Sequence, residues 1–160
     1  MAKAYPLPTK VWECACGAGH LVGALARLGH EVYATDLVDR GCGDSGVDFL
    51  METDAHECDA IVTNPPYRYA MEFVLHALEI LPIGGVCAMF LKTTFLEGKT
   101  RYRELFSKHP PKYILQFSER VLCAKNGDFE GMKRGGGSAV AYAWYIFEKG
   151  YKGETIIRWI

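Results

Sequence analysis

Four short runs of nearly uninterrupted apolar residues set the limits on how this chain can fold: Lys10–Cys16, Glu31–Thr35, Asp59–Thr63 and Val86–Leu91. Strands with no polar face must be covered on both sides, which a parallel sheet flanked by helices provides. The intervening sequence supplies the helices. Leu21, Val22, Leu25 and Leu28 recur at helical spacing and stop at Gly29. Ala70, Phe73, Val74, Ala77, Leu78 and Leu81 do the same before Gly84-Gly85. Strand and helix alternate, so a doubly wound α/β sheet is expected. The C-terminal part breaks the alternation. Tyr113–Phe117 and Ala139–Phe147 read as strands that could pair as an antiparallel hairpin at the sheet edge. Thr155–Ile160 is a further candidate strand, and Val47–Leu50 a short one.

The chain has 160 residues, which suits one domain with no separate recognition module. No apolar run is long enough to span a bilayer. The start, Met-Ala-Lys-Ala-Tyr-Pro, lacks a signal-peptide core, so a cytoplasmic protein is expected. Six cysteines (Cys14, Cys16, Cys42, Cys58, Cys87 and Cys123) are scattered without paired CxxC spacing. They read as buried thiols, and no metal site is expected. His20, His30, His56, His76 and His109 show no metal spacing either. Net charge is −1, but it is unevenly spread. Residues 1–60 hold four Lys/Arg against ten Asp/Glu; residues 61–160 hold fourteen against nine. That asymmetry is compatible with a polyanionic partner on one face and equally with ordinary solvated surface.

Three junctions carry chemistry. Glu13-Cys-Ala-Cys-Gly17-Ala-Gly19 joins a strand to a helix. Its glycines permit positive φ and close backbone approach to a ligand, and the helix start near His20 aims N–H groups into the same space. Alone, GxG is weak evidence, since a tight turn looks the same. Asp36 ends the second strand, where doubly wound folds read ribose hydroxyls. Asn64-Pro65-Pro66-Tyr67 follows the third buried strand and is the most specific signal. Two prolines remove two donors and leave nearby carbonyls free to accept. Asn64 offers an amide oxygen and Tyr67 a flat face. The set suits a planar substrate carrying an NH₂ group.

The order GxG, acidic strand end, NPPY resembles class I S-adenosylmethionine-dependent methyltransferases that modify exocyclic or amide nitrogens. It looks most like small phage- or prophage-type DNA adenine-N6 methyltransferases, over roughly residues 10–118. The resemblance implies a Rossmann-like fold with a mostly parallel seven-stranded sheet and S-adenosylmethionine as cofactor. It implies that Glu13, Cys14, Gly17 and Gly19 line the methionine and ribose parts of the cofactor. Asp36 with Leu37 would hold the ribose, Asp48 and Phe49 would contact the cofactor adenine, and Asn64 would border cofactor and target. Asn64, Pro65, Pro66 and Tyr67 form the implied catalytic set. Tyr5 and Pro6 are guessed to cover the cofactor. Little sequence precedes the first motif, so the usual N-terminal covering helix is expected to be missing or supplied from the C-terminus.

Two basic segments, 92–112 and 120–134, are candidates for phosphate contacts, with Lys99, Arg101, Arg103, Lys125, Lys133 and Arg134 as the named residues. The expected partner is nucleic acid, DNA in preference to RNA, with the protein a monomer or homodimer. Trp144, Tyr145 and Phe147 read as sheet packing. Protein glutamine methylation, RNA adenine methylation and a cofactor-binding scaffold role remain open. A dinucleotide oxidoreductase is disfavoured, because a third glycine is missing and NPPY would be unexplained.

Overall fold

Burial of Val11, Trp12 and Glu13 starts the sheet at β1 (Lys10–Glu13). The computed structural model describes residues 1, 4–121 and 140–160. Trp12 has no exposed surface, and its indole N–H donates to the Thr35 hydroxyl at 2.9 Å. A buried indole needs such a partner. Gly19, at φ +79, turns the chain into α1 (His20–Arg27). The next elements are β2 (Glu31–Asp36), β3 (Asp44–Ser45), β4 (Ala60–Thr63), α2 (Ala70–Ile80) and β5 (Val86–Lys92). A 3₁₀ turn, Thr93–Leu96, leads to α3 (Lys99–Arg101), which runs into one π-turn, Tyr102–Phe106. The strands β6 (Tyr113–Gln116), β7 (Tyr142–Glu148) and β8 (Ile156–Trp159) finish the chain.

The eight strands lie in the order β3-β2-β1-β4-β5-β7-β6-β8. The pairs from β3 through β5 are parallel. β7 runs antiparallel to both β5 and β6, and β8 returns parallel to β6. Alternate residues feed opposite faces. Trp12, Ile61, Met89 and Tyr145 join Phe49, Phe73, Val74 and Leu105 in one core. Val11, Ala60, Val62, Phe90 and Trp144 join Leu25 in the other. Each fully buried large side chain contributes about 1.5–3 kcal/mol, so both faces anchor the sheet. Among the described residues, no helix is long and apolar enough to cross a membrane.

The structure corrects the expected sheet in three places. Among the described residues it has eight strands, Asp44–Ser45 adding a short ladder to β2. The segment expected as a strand at 47–50 instead enters a 3₁₀ turn, Phe49–Met51, in which the Asp48 side chain accepts from the Leu50 N–H at 3.1 Å. That local bond competes with strand pairing. The antiparallel pair exists, but β7 takes an interior position and β8 forms the edge. β7 buries six consecutive residues, whereas β8 is exposed throughout. Ala139, expected at the start of that strand, lies outside the described residues.

Tyr5 is also displaced from its expected place. Its ring lies 5.7 Å from that of Tyr113, and its hydroxyl reaches Glu148 at 3.5 Å. Tyr113 begins β6 and Glu148 ends the antiparallel β7, so Tyr5 covers the amino end of the parallel sheet, not a cofactor at the carboxyl end.

The loop between β2 and β3 packs tightly through one glycine. Gly43 has φ +69, and a Cβ there would stand 2.3 Å from the Ala34 carbonyl oxygen. Gly43→Ala is expected to cost about 2–5 kcal/mol, combining left-handed strain with backbone overlap. Thermal melts would check this; an unchanged midpoint would refute it.

Candidate active site

Strand order reverses at β1, with β2 and β3 on one side and β4 and β5 on the other. In open α/β sheets that switch point opens a crevice at the strands' carboxyl ends. Glu13 ends β1 and Thr63 ends β4, so these two residues flank it. A larger cleft, lined by Lys10, Glu31, Tyr33 and His56, lies toward the amino ends of β1 and β2. Lys10 and Glu31 are the first residues of those strands, which places that cleft away from the switch point.

Glu13 is 1% exposed and accepts from the Ala15 N–H at 3.1 Å. Burial pushes its carboxyl up to about 8; the Ala15 N–H and the nearby Thr63 hydroxyl oppose this, while the Asp36 charge adds to it. Glu13 is therefore largely neutral at pH 7. The buried Thr63 hydroxyl stands close enough to Glu13 to favour its charged form, but makes no well-formed hydrogen bond among the described residues. An orphaned buried hydroxyl usually signals a missing water or ligand.

Gly17 and Gly19 do different work. The Gly17 N–H donates to Asp36 Oδ2 at 2.8 Å, at φ +56, and a Cβ would meet nothing within 4 Å. Its free side faces open space. At Gly19 a Cβ would lie 2.6 Å from Cys42 Sγ, so that glycine admits the β2–β3 loop. The Cys14 side chain is buried in the core, leaving only its backbone to line the crevice. Burial pushes the Cys14 thiol well up, and burial with the neighbouring Cys42 pushes Cys16 up to about 12. Both stay protonated and are poor metal ligands. Among the described residues, no group of three or more His, Cys, Asp or Glu could hold a metal ion.

Asp36 is 7% exposed. Besides Gly17, it accepts from the Val38 N–H and from Arg40, each at 2.8 Å. The carboxylate thus ties the glycine turn to the following loop, and Leu37 beside it is exposed. Asp48 is exposed and caps its 3₁₀ turn. Phe49 is 2% exposed and packs edge-on to Trp12. Its side chain belongs to the core, so of the expected pair only Asp48 presents a side chain to solvent.

NPPY follows β4 directly. Pro65 is buried, Asn64 and Pro66 are exposed, and Tyr67 is half-buried. The Pro66 carbonyl accepts from the Tyr69 N–H at 2.8 Å, which starts the turn into α2. Among the described residues, the Asn64 side-chain amide and the Pro65 carbonyl make no hydrogen bond. Two acceptors are therefore left unbonded in the turn that leads into Tyr67. A pocket of about 180 Å³ adjoins its ring, lined by Tyr67, Ala70, Leu91, Lys92, Phe95 and Arg101 among others. The Lys92 ammonium stands 5.2 Å from the centre of the Tyr67 ring, and the Tyr142 ring lies 5.9 Å from it.

The expected phosphate contacts divide. Lys99 and Arg103 are exposed. Arg101 instead donates to the carbonyls of Phe95 at 2.8 Å and of Glu97, and stacks over the Phe95 ring. Its guanidinium organises the loop and lines the pocket. Lys125, Lys133 and Arg134 lie outside the described residues. Thr63 and Arg40 escaped sequence reasoning as site residues. Lys92 was expected only as part of the basic segment 92–112, and instead it lines the pocket at the end of β5.

The architecture matches solved structures described as methyltransferases. A Listeria monocytogenes protein assigned to the class I S-adenosylmethionine-dependent methyltransferases superposes with a TM-score of 0.63 at 12% identity. That match covers 95% of this chain and 58% of the Listeria protein, so the chain spans little more than half its length. Burkholderia thailandensis 1,6-didemethyltoxoflavin-N1-methyltransferase, solved with its substrate and S-adenosylhomocysteine, gives 0.61 at 12% identity, over 92% of this chain and 74% of that one. The chain has the class I methyltransferase fold. A TehB-like S-adenosylmethionine-dependent methyltransferase of Corynebacterium glutamicum gives 0.51 at 15% identity, covering 92% and 83%. No protein-family model and no curated protein matches the sequence. The methyltransferase fold thus rests on architecture, and the substrate must be argued from the site.

Proposed function

We propose that this protein is an S-adenosylmethionine-dependent methyltransferase acting on an exocyclic amino nitrogen, with adenine N6 in DNA as the favoured substrate. The observation that supports this best is the unbonded acceptor pair, Asn64 side chain and Pro65 carbonyl, in the turn that leaves β4 next to the switch point and leads into Tyr67.

The residues present fit the cofactor. Gly17 leaves open space on its free side. The first turn of α1 carries no acidic residue, so its N–H groups suit a carboxylate. Asp36, already bonded to Gly17, Val38 and Arg40, keeps acceptor capacity on Oδ2 for one ribose hydroxyl. Glu13 and the orphaned Thr63 oxygen offer acceptors for an ammonium. S-adenosylmethionine, when bound, supplies an electrophilic methyl group on a sulfonium.

The chain's own residues prepare the nucleophile. A target base leaving its stack costs a few kcal/mol, less from a single strand. Tyr67 offers it a replacement stacking face. Asn64 Oδ1 and the Pro65 carbonyl accept from the two amine hydrogens. That draws the nitrogen lone pair out of conjugation with the ring and fixes its direction. Positioning and charge stabilisation then carry the catalysis without a strong base. The amine proton passes to water at the open strand ends.

Labelled methyl transfer to duplex DNA, single-stranded DNA, RNA and protein, followed by nucleoside mass spectrometry, tests this reading. N6-methyladenine in DNA is expected. Label confined to RNA or to protein glutamine would keep the chemistry and replace the substrate; no label despite cofactor binding would favour a scaffold role.

A further inference from the structure

Beside the pocket at the Tyr67 ring lies a surface in which exposed aromatics stand next to cations. Two segments build it, and both line the same pocket: the turn through Tyr67 and Ala70, and the stretch from Leu91 to Arg101. On the first, Tyr69 is 42% exposed and carries the Arg68 guanidinium 5.3 Å from its ring centre. On the second, Leu96 is 43% and Tyr102 66% exposed, with Lys99 and Arg103 at the surface between and beside them. Acidic residues offset part of this charge: Glu104 pairs with Arg103, at 2.6 Å, and with Lys108, at 2.9 Å. Glu97 is the remaining carboxylate between Lys92 and Arg103.

We propose that this rim, Arg68, Tyr69, Leu96, Lys99, Tyr102 and Arg103, grips the nucleotides flanking the target base, and that the substrate strand is single-stranded. The inference rests on the methyltransferase reading above and adds the strand state and the residues that read it. Cations between exposed rings match a polyanion whose bases have free faces. A duplex hides those faces in its own stack and offers phosphates alone, so Tyr69 and Tyr102 would gain nothing from it. A single strand pairs each ring with a base and each cation with a phosphate. It also avoids most of the cost of extracting the target.

Fluorescence anisotropy of the full chain with short labelled strands tests the proposal. Single-stranded DNA is expected to bind about tenfold tighter than the matching duplex. Tyr69→Ala and Tyr102→Ala should each weaken single-strand binding roughly five- to a hundredfold, and Tyr→Phe at either site should restore it. Lys99→Gln and Arg103→Gln should instead flatten the salt dependence, each by about one in the log–log slope. Single-stranded RNA bound as well as DNA would support the rim and broaden the sugar. Equal affinity for duplex and single strand, or tyrosine variants that bind like the wild type, would overturn it. S-adenosylhomocysteine binding, measured by calorimetry on the same preparations, separates the two failures. Its loss in the wild type would sink the methyltransferase reading, whereas its presence with an indifferent rim would sink this inference alone.

Discussion

Asn64→Ala is expected to lower kcat by about a hundred- to a thousandfold while S-adenosylhomocysteine affinity changes only a few-fold. The expectation follows from where Asn64 stands. It is exposed at the carboxyl end of β4, and its side chain is bonded to no described residue. Removing it should cost the fold little, because no packing or internal hydrogen bond is lost. The loss falls on the transition state, where the amine nitrogen gains positive charge and the acceptor's bond to its hydrogen strengthens. Deleting one positioned polar group of this kind typically costs about 10²–10³ in turnover. Asn64→Asp keeps an acceptor and adds charge, and should retain more activity than alanine. Single-turnover kinetics would separate transfer from product release. Equal losses in cofactor affinity and in rate for the alanine variant would remove Asn64 from this role and make it a cofactor ligand.

The site was more legible in the sequence than the sheet edge was. Gly17, Gly19, Asp36 and NPPY stand at strand ends because apolar runs stop there, and run length can be read directly. Which residues the loops then bring together could not be read. Arg40 reaching back to Asp36 depends on the Asp39–Gly46 loop, whose glycines at 41, 43 and 46 all take positive φ. Phe49 looked like a cofactor contact by analogy of position. It is core instead, since Trp12, Phe73 and His76 surround its ring. Arg101 looked like surface charge, but its π-turn neighbourhood exposes carbonyls that its guanidinium can reach. Strand order could not be read for a related reason. Only the pairing shows that β7 enters between β5 and β6.

Glu13 should trade stability for cofactor affinity. Its carboxyl titrates near 8 in the folded protein, chiefly because burial penalises the charge, against an ordinary value of 4.5. Between those values the native state holds a proton that the unfolded chain has lost. Stability contributed by Glu13 is therefore complete below 4.5 and falls by about 1.4 kcal/mol for each pH unit as pH rises toward 8. Glu13→Gln removes that slope while keeping an oxygen for the Ala15 N–H. Melting curves from pH 5 to 8 should thus find the variant increasingly more stable than the wild type toward the alkaline end. Cofactor affinity should move the opposite way. An ammonium bound beside Glu13 favours the carboxylate, so binding at pH 7 should expel up to one proton, seen as a buffer-dependent calorimetric enthalpy. The glutamine variant cannot ionise; it should release no proton there and bind roughly ten- to a hundredfold more weakly, the usual value of a charged hydrogen bond. Parallel melting curves with unchanged affinity would show Glu13 to be ionised and merely structural. A variant that is more stable and binds worse would show that the strand end holds a destabilised acid for its ligand's sake.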